Sequence, residues 1–449
     1  MQYLFYFFEI SFILKIHVLY FFLQGGHKME IGYNKLNITP TQPVHIAGYN
    51  RKELSKGVLD PIEINSLVIK ENNKTIIFSI LDSIIIEDCV ILPVKKAIFE
   101  NFGIPFEQII IGCIHTHSAP AYFKPFFENV YIDQELQKSL IQSFIKSISK
   151  ALASLEDASL TMETTQIEGL YGNRNVKDGC VDKSINVLHF MNSHSKNEIC
   201  SFIQMSCHPT ILNGSNFKLS ADLLGWIRQK YQTKTQVPCM IVNGFCGDVS
   251  TRFYRELKGE DELERVSSSI IQQMNDLNPL DVLFNDLKCT SFEKSYQYNG
   301  QSDPFVQKEI PHLKEKIQNS QNDVEKAIAS QLLYNLEFKA SKGEMVLKLY
   351  SHIIKLGNIL FISLPGDITA ALGKRIVDHF KDYKVIILGY CENYSNRDFY
   401  LWVKALWAFY LDDIDKEFWN ELVEQWEKQD YIPIFYGIND YELCVNYMI

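Results

Sequence analysis

Short runs of consecutive apolar residues punctuate this chain, and stretches with apolar positions every three or four residues fill the intervals. The runs predict buried strands over 75–86, 108–114, 184–190, 199–205, 237–242, 359–364 and 385–388. Helical period appears over 94–101, 133–154 and 219–231. Strands alternating with helices predict an α/β fold, a mixed sheet core flanked by helices. Residues 303–342 are charged, glutamine-rich and helical in period, an excursion between two strand blocks. From residue 401, LWVKALWAFYLDDIDKEFWNELVEQWEK is aromatic and helical, unlike anything before it.

The N-terminus has a different character. MQYLFYFFEISFILKIHVLYFFLQ resembles a membrane anchor, but Glu9, Lys15 and His17 interrupt it and no small-residue cleavage site follows. Gln24-Gly25-Gly26 can be encoded by a bacterial ribosome-binding sequence just ahead of Met29. The expectation is therefore a translated leader or pseudo-signal over 1–28, a catalytic-type domain over 29–400 and a divergent helical segment over 401–449. A cytoplasmic location follows, with a membrane-anchored or secreted protein as the alternative if 1–28 is a true signal.

Composition narrows the partners. The chain has 449 residues, 46% hydrophobic and 22% charged, with a net charge of -10. An acidic chain without a basic run is a poor match for nucleic acid. Ten cysteines without a C-x-x-C pair suit reduced core thiols better than a disulfide framework.

The chemistry sits at strand ends. His115-Thr116-His117 follows an apolar run, and residues i and i+2 of an extended chain face the same way, so both rings can reach one point. Imidazole is a common zinc ligand, although such a pair alone is more often plain polarity. Ser206-Cys207-His208-Pro209-Thr210 places a second histidine where proline holds the backbone extended. Ser220 and Asp222, at the head of the next helix, read as caps. Asn243-Gly244-Phe245-Cys246-Gly247-Asp248-Val249-Ser250 offers a glycine loop ending in a serine able to attack or to orient a water. Leu364-Pro365-Gly366-Asp367 presents a carboxylate past a strand, and Gly172-Asn173-Arg174 an arginine.

In this order, His-Thr-His-Ser-x-Pro, Asn-Arg, His-Pro-Thr, Gly-Asp-Val-Ser and Leu-Pro-Gly-acid resemble the neutral/alkaline, non-lysosomal ceramidase family, in the manner of a divergent bacterial member. The opening ITPTQPVHIAGYNRKELSKGVLDP is similar too, and the resemblance spans roughly residues 29 to 397. There is no room for the immunoglobulin-like C-terminal domain of the larger ceramidases. The resemblance implies a zinc amidohydrolase acting on an N-acyl, ceramide-like substrate through zinc-activated water, touching a membrane without spanning it. It implies His115, His208 and Asp367 as zinc ligands, His117 as their neighbour, Arg174 facing the substrate and Ser250 at the reaction centre.

Two departures stand out. Asp367 is one methylene shorter than the family's glutamate. Counting from Gly389, Tyr394 matches the first tyrosine of the family's Asn-x-Tyr-x-x-Tyr segment, while Arg397 occupies the place of the ligand tyrosine, and a cation is a poor zinc neighbour. Tyr394 is then the candidate fourth ligand, with Tyr400 or a three-ligand site as alternatives. A degenerate relative that binds a ligand or partner remains open, as does a metal-dependent phosphoesterase built on His115, His117, His208 and Asp367.

Overall fold

The computed structural model describes residues 29–392, apart from 50, 52, 124–132, 175–176, 300, 303, 367 and several positions between 322 and 343. The expectations for 1–28 and 401–449 lie outside the described residues. The chain runs β1 (Met29–Asn37), β2 (Glu63–Glu71), β3 (Lys74–Leu81), α1 (Asp88–Phe102), β4 (Ile109–Cys113), α2 (Gln134–Ala153), β5 (Glu156–Gln166), β6 (Ser184–Asn192) and β7 (Glu198–Met205). It continues with α3 (Asp222–Thr235), β8 (Cys239–Asn243), α4 (Gly259–Gln273), β9 (Asn278–Leu280), β10 (Lys288–Asn299), α5 (Pro304–Asn319), β11 (Glu344–Leu356), β12 (Ile359–Ser363), α6 (Ala370–His379) and β13 (Lys384–Leu388).

This is a mixed α/β architecture. The large sheet has the order β8-β7-β6-β5-β1-β2-β3-β4, with β9 also on β5, and the small one the order β10-β11-β12-β13. The large sheet is two halves joined at Glu30↔Asp157 and Ile31↔Glu156 alone. Phe78 of β3 and Phe202 of β7 lie far apart in strand order, yet their rings are 6.0 Å apart. The sheet therefore folds over on itself. Phe361 of β12 sits 5.3 Å from Phe78 and 5.9 Å from Phe202, which seats the small sheet against both halves. Such aromatic clusters bury large apolar areas and favour tilted or edge-on contacts.

Helices cover the outer sides. Asn34 and Ser66 reach Ser147 of α2, and Gly32 lies so close to α2 that an added Cβ would stand 1.9 Å from the Ala151 carbonyl oxygen. On the other half, Gln232 of α3 donates to the Cys239 carbonyl. Arg228 of α3 is buried and forks onto Asp82 at 2.7 and 2.6 Å, with Glu63 at 3.1 Å. Two carboxylates in that position compensate the buried guanidinium through paired, charge-assisted bonds.

The pattern along the chain explains most element positions. β4, β8 and β12 are buried at every residue, and β3 becomes so after its first two. The run expected over 75–86 leaves the sheet at Leu81, because Asp82 turns away to meet Arg228. The helix expected from 94 begins at Asp88: Val90 and Ile91 are buried and hold the first turns despite Pro93. Ser220 and Asp222 bond neighbouring amides: the Ser220 hydroxyl accepts from the Asp222 amide, and the Asp222 carboxylate from Ile211 and Leu212.

The nine cysteines among the described residues are all free. No helix among the described residues is long and apolar enough to cross a membrane.

The parallel pairs β3–β4, β7–β8 and β12–β13 matter most for function. The carboxyl ends of their members and the segments leaving them supply His115, His117, His208, Asn243, Ser250 and Tyr390 of the site below. Ligand sites of α/β sheets gather at such ends.

Candidate metal centre

His115 stands two residues past β4, its ring buried and its backbone left-handed at φ +70. This conformation is uncommon for a residue with a Cβ, and here it turns the ring inward. Nδ1 lies 2.6 Å from the Ile84 carbonyl oxygen. A carbonyl only accepts, so Nδ1 carries the proton and Nε2 keeps its lone pair.

His208 follows β7. Its amide donates to the Val249 carbonyl at 2.9 Å, and it forms a parallel bridge with Ser250. Its Nδ1 faces the Cys246 carbonyl at 3.4 Å. Asn243, at the end of β8, ties the two histidine segments together. Its side-chain amide donates to the carbonyls of Ile114 and Cys207, each immediately before a histidine, while its oxygen accepts from the Cys207 amide.

His117 completes the group. Its Nε2 is 3.3 Å from His115 Nε2, and potential ligand atoms of His115, His117 and His208 lie within 4.8 Å of one another. Gly48 backs the His117 ring: a Cβ there would stand 2.6 Å from His117 Cβ. Arg51 donates to the His117, Ala47 and Asn213 carbonyls. Burial brings the pKa of this guanidinium down to about 10.

Burial and neighbouring positive charge favour the neutral form of His117 and His208. Burial lowers the pKa of His117 well below the ordinary histidine value, helped by the charges of His115, Arg174 and Arg51. His208 is lowered by burial, then by Arg174, His115 and His117. Neutral imidazoles with converging lone pairs can hold a metal. The donor spacing fits as well: two ligands at about 2.0–2.1 Å from one tetrahedral zinc stand roughly 3.3 Å apart, and His115 and His117 already show that separation.

Arg174 lies beside this group. Its amide donates to the Asp248 carbonyl, and its Nε and Nη2 reach the Gly247 carbonyl at 3.1 and 2.7 Å. The two-residue ladder pairing Gly172 with Ser250 and Asn173 with Val249 brings it there. Ser250 is buried, paired with His208 through the backbone, and its Oγ accepts from the Arg252 amide. The structure thus gathers His115, His117, His208, Arg174 and Ser250. Asp367, Tyr394, Arg397 and Tyr400 lie outside the described residues, although Gly366 and Ile368 beside Asp367 accept from Tyr390 and Gly247.

The resemblance gave His117 a neighbour's, catalytic place, while the His-x-His pattern itself put both rings within reach of one point; His117 lies with His115 and His208 in the group that could hold a metal. Sequence reasoning gave no role to Asn243, Gly48, Arg51 or Tyr390. Tyr390 is buried with its ring stacked on His115, centroids 4.2 Å apart and planes 18° apart. The glycine and the arginine lay in a quoted motif, but nothing local marked which histidine they would serve.

Comparisons with known proteins bear on the family and the fold. Residues 29–251 match the family described as neutral/alkaline non-lysosomal ceramidase, N-terminal. No curated protein matches the chain. Among solved structures, the neutral ceramidase from Pseudomonas aeruginosa aligns at TM-score 0.63 and 14% identity, covering 83% of this chain and 70% of that one. A ceramidase complexed with C2 aligns at TM-score 0.62 and 14% identity, covering 82% and 69%. At such identity these likenesses speak for the fold, and the family match rests on the sequence of 29–251. Residues 29–251 of the chain belong to the neutral/alkaline non-lysosomal ceramidase family.

Proposed function

We propose that this protein is a zinc-dependent hydrolase that cleaves the amide bond of a ceramide-like N-acyl substrate. The observation that carries the reading is the group of His115, His117 and His208, with ligand atoms within 4.8 Å of one another and the pKa values of His117 and His208 held well below the ordinary histidine value. His115, His117 and His208 would hold the ion, with Asp367 and Tyr394 as further candidates from the sequence. When bound, zinc supplies Lewis acidity that acidifies a water and polarises a carbonyl.

The chain's own groups do the rest. The Ile84 and Cys246 carbonyls hold Nδ1 of His115 and His208, which fixes both tautomers. Arg174 brings a buried positive charge to the place where negative charge grows on the amide oxygen. The Ser250 oxygen accepts from the Arg252 amide, which leaves its hydroxyl proton to orient a water or the scissile carbonyl. Family membership and the likeness to a ceramidase complexed with C2 support an N-acyl lipid as substrate.

The test is hydrolysis of short-chain N-acylsphingosines by the full-length protein, followed by mass spectrometry. Activity should vanish on chelation and return with about one equivalent of zinc. Hydrolysis indifferent to chelation, or a protein that takes two equivalents and cleaves phosphate esters instead, would sink the reading.

A further inference from the structure

We propose that Tyr390 is a positioning residue: it fixes the orientation of the His115 and His208 rings relative to each other. The proposal rests on the metal reading only for its consequence in metal affinity.

Four consecutive residues after β13 bond β4, the end of β8 and the segment leaving β12. The Gly389 amide donates to the Asn243 carbonyl at 2.8 Å, and Gly389 packs so tightly that a Cβ would stand 2.2 Å from the Gly244 oxygen. The Tyr390 amide donates to Gly366 at 3.4 Å, while its carbonyl accepts from Cys113, two residues before His115, at 3.1 Å. The Cys391 amide donates to Leu364. The Glu392 amide donates to Ile111, and its buried carboxylate pairs with buried Lys95 at 2.8 Å. Tyr390 and Glu392 are both left-handed, at φ +56 and +60. Residues bearing a Cβ persist in that conformation where the surroundings over-determine it, and these bonds do so.

What the segment delivers is an aromatic ring that meets His115 and Cys246. Its face covers His115. Its hydroxyl meets Cys246 Sγ at 3.0 Å, and the carbonyl of that same cysteine faces His208 Nδ1. A single side chain therefore touches one histidine directly and the other through Cys246. A residue serving only as core filling would need the ring but not the hydroxyl contact, and this difference can be measured.

The experiment uses the full-length protein, metal-free and zinc-titrated, with ring-labelled histidine. Tyr390→Phe keeps the stack and removes the hydroxyl. It should shift the His208 ring signals in the metal-free protein, weaken zinc about tenfold in chelator competition, and leave the metal-free thermal midpoint unchanged. Tyr390→Leu should weaken zinc by up to about a hundredfold, the range typical for groups that orient metal ligands. Cys246→Ala should mimic Tyr390→Phe, with the double variant no worse than either single one, as expected of residues acting through one contact. His208 signals and zinc affinity unmoved by Tyr390→Phe would overturn the proposal, and this variant decides even if Tyr390→Leu fails to fold. Should the wild type take no zinc, the proposed function fails alone, and the His208 signals still judge Tyr390.

Discussion

His189 and His208 belong to adjacent strands and have opposite surroundings. His189, within β6, lies between two carboxylates, Glu198 at 2.8 Å and Glu163 at 3.1 Å. Burial pulls its pKa down, but the bond and charge of Glu198, then those of Glu163, outweigh it and raise the value. His208, past the end of β7, faces a carbonyl and a nearby guanidinium, and burial together with Arg174 lowers it. The first ring sits where two carboxylates favour its protonated form. The second is kept neutral with its outer lone pair available. Whether a histidine can serve a metal is decided by what its neighbours do to its charge.

The sharpest way to break this contrast is to remove each ring in turn. His208→Ala should cost at least a hundredfold in zinc affinity, beyond what loss of an orienting group produces, with the metal-free fold retained in circular dichroism. His189→Gln should leave zinc affinity unchanged. Equal losses from both would dissolve the distinction.

A smaller effect is expected from Arg174→Met. Without that charge the His208 pKa should move up toward its ordinary range, visible in a histidine titration by NMR. Hydrolysis should fall about a hundredfold, the scale of losing one group that stabilises an oxyanion. A His208 titration that does not respond would show that burial alone keeps the ring neutral.

Smallest is the pH dependence of stability in the metal-free protein. His117 and His208 have depressed folded-state values, so below the unfolded value of about 6.5 the unfolded chain binds more protons and stability falls as pH falls. His189 has a raised folded-state value, so its contribution is present below about pH 6.5 and is lost as pH rises through that raised value. His208→Gln should therefore stabilise relative to wild type at pH 5 and change little at pH 8. His189→Gln should destabilise at pH 5, by no more than about 1 kcal/mol for a partly solvated pair. Thermal midpoints at the two pH values give the signs, and a reversal of either would refute the charge assignment.

Legibility in the sequence followed the same divide between self-contained and relational features. The mostly apolar strands β3, β4, β8, β12 and β13 announced themselves. β5, EDASLTMETTQ, buries alternate residues only, and β10 is similarly rich in polar positions, so neither stood out from loop. β8 begins at Cys239 rather than residue 237, since Pro238 cannot donate to a ladder. At the site, motifs at strand ends pointed to His115, His208, Arg174 and Ser250, because each sits in a local segment with its own residue signature. Tyr390 stayed hidden: its place depends on a left-handed backbone and on a stack against a residue from another sheet, and neither leaves a trace in nearby composition.

The fold-over of the large sheet has a kinetic corollary. His115, His117 and His208 come from one sheet and Tyr390 from the far end of the other, so the contacts that complete this centre close very long loops. Such contacts form only after a large loss of chain entropy, and chains dominated by them fold slowly. During synthesis the three histidines leave the ribosome well before the segment that orients them. A nascent chain would hold its imidazoles for some time without their final alignment, and full affinity for a metal would mark the end of folding.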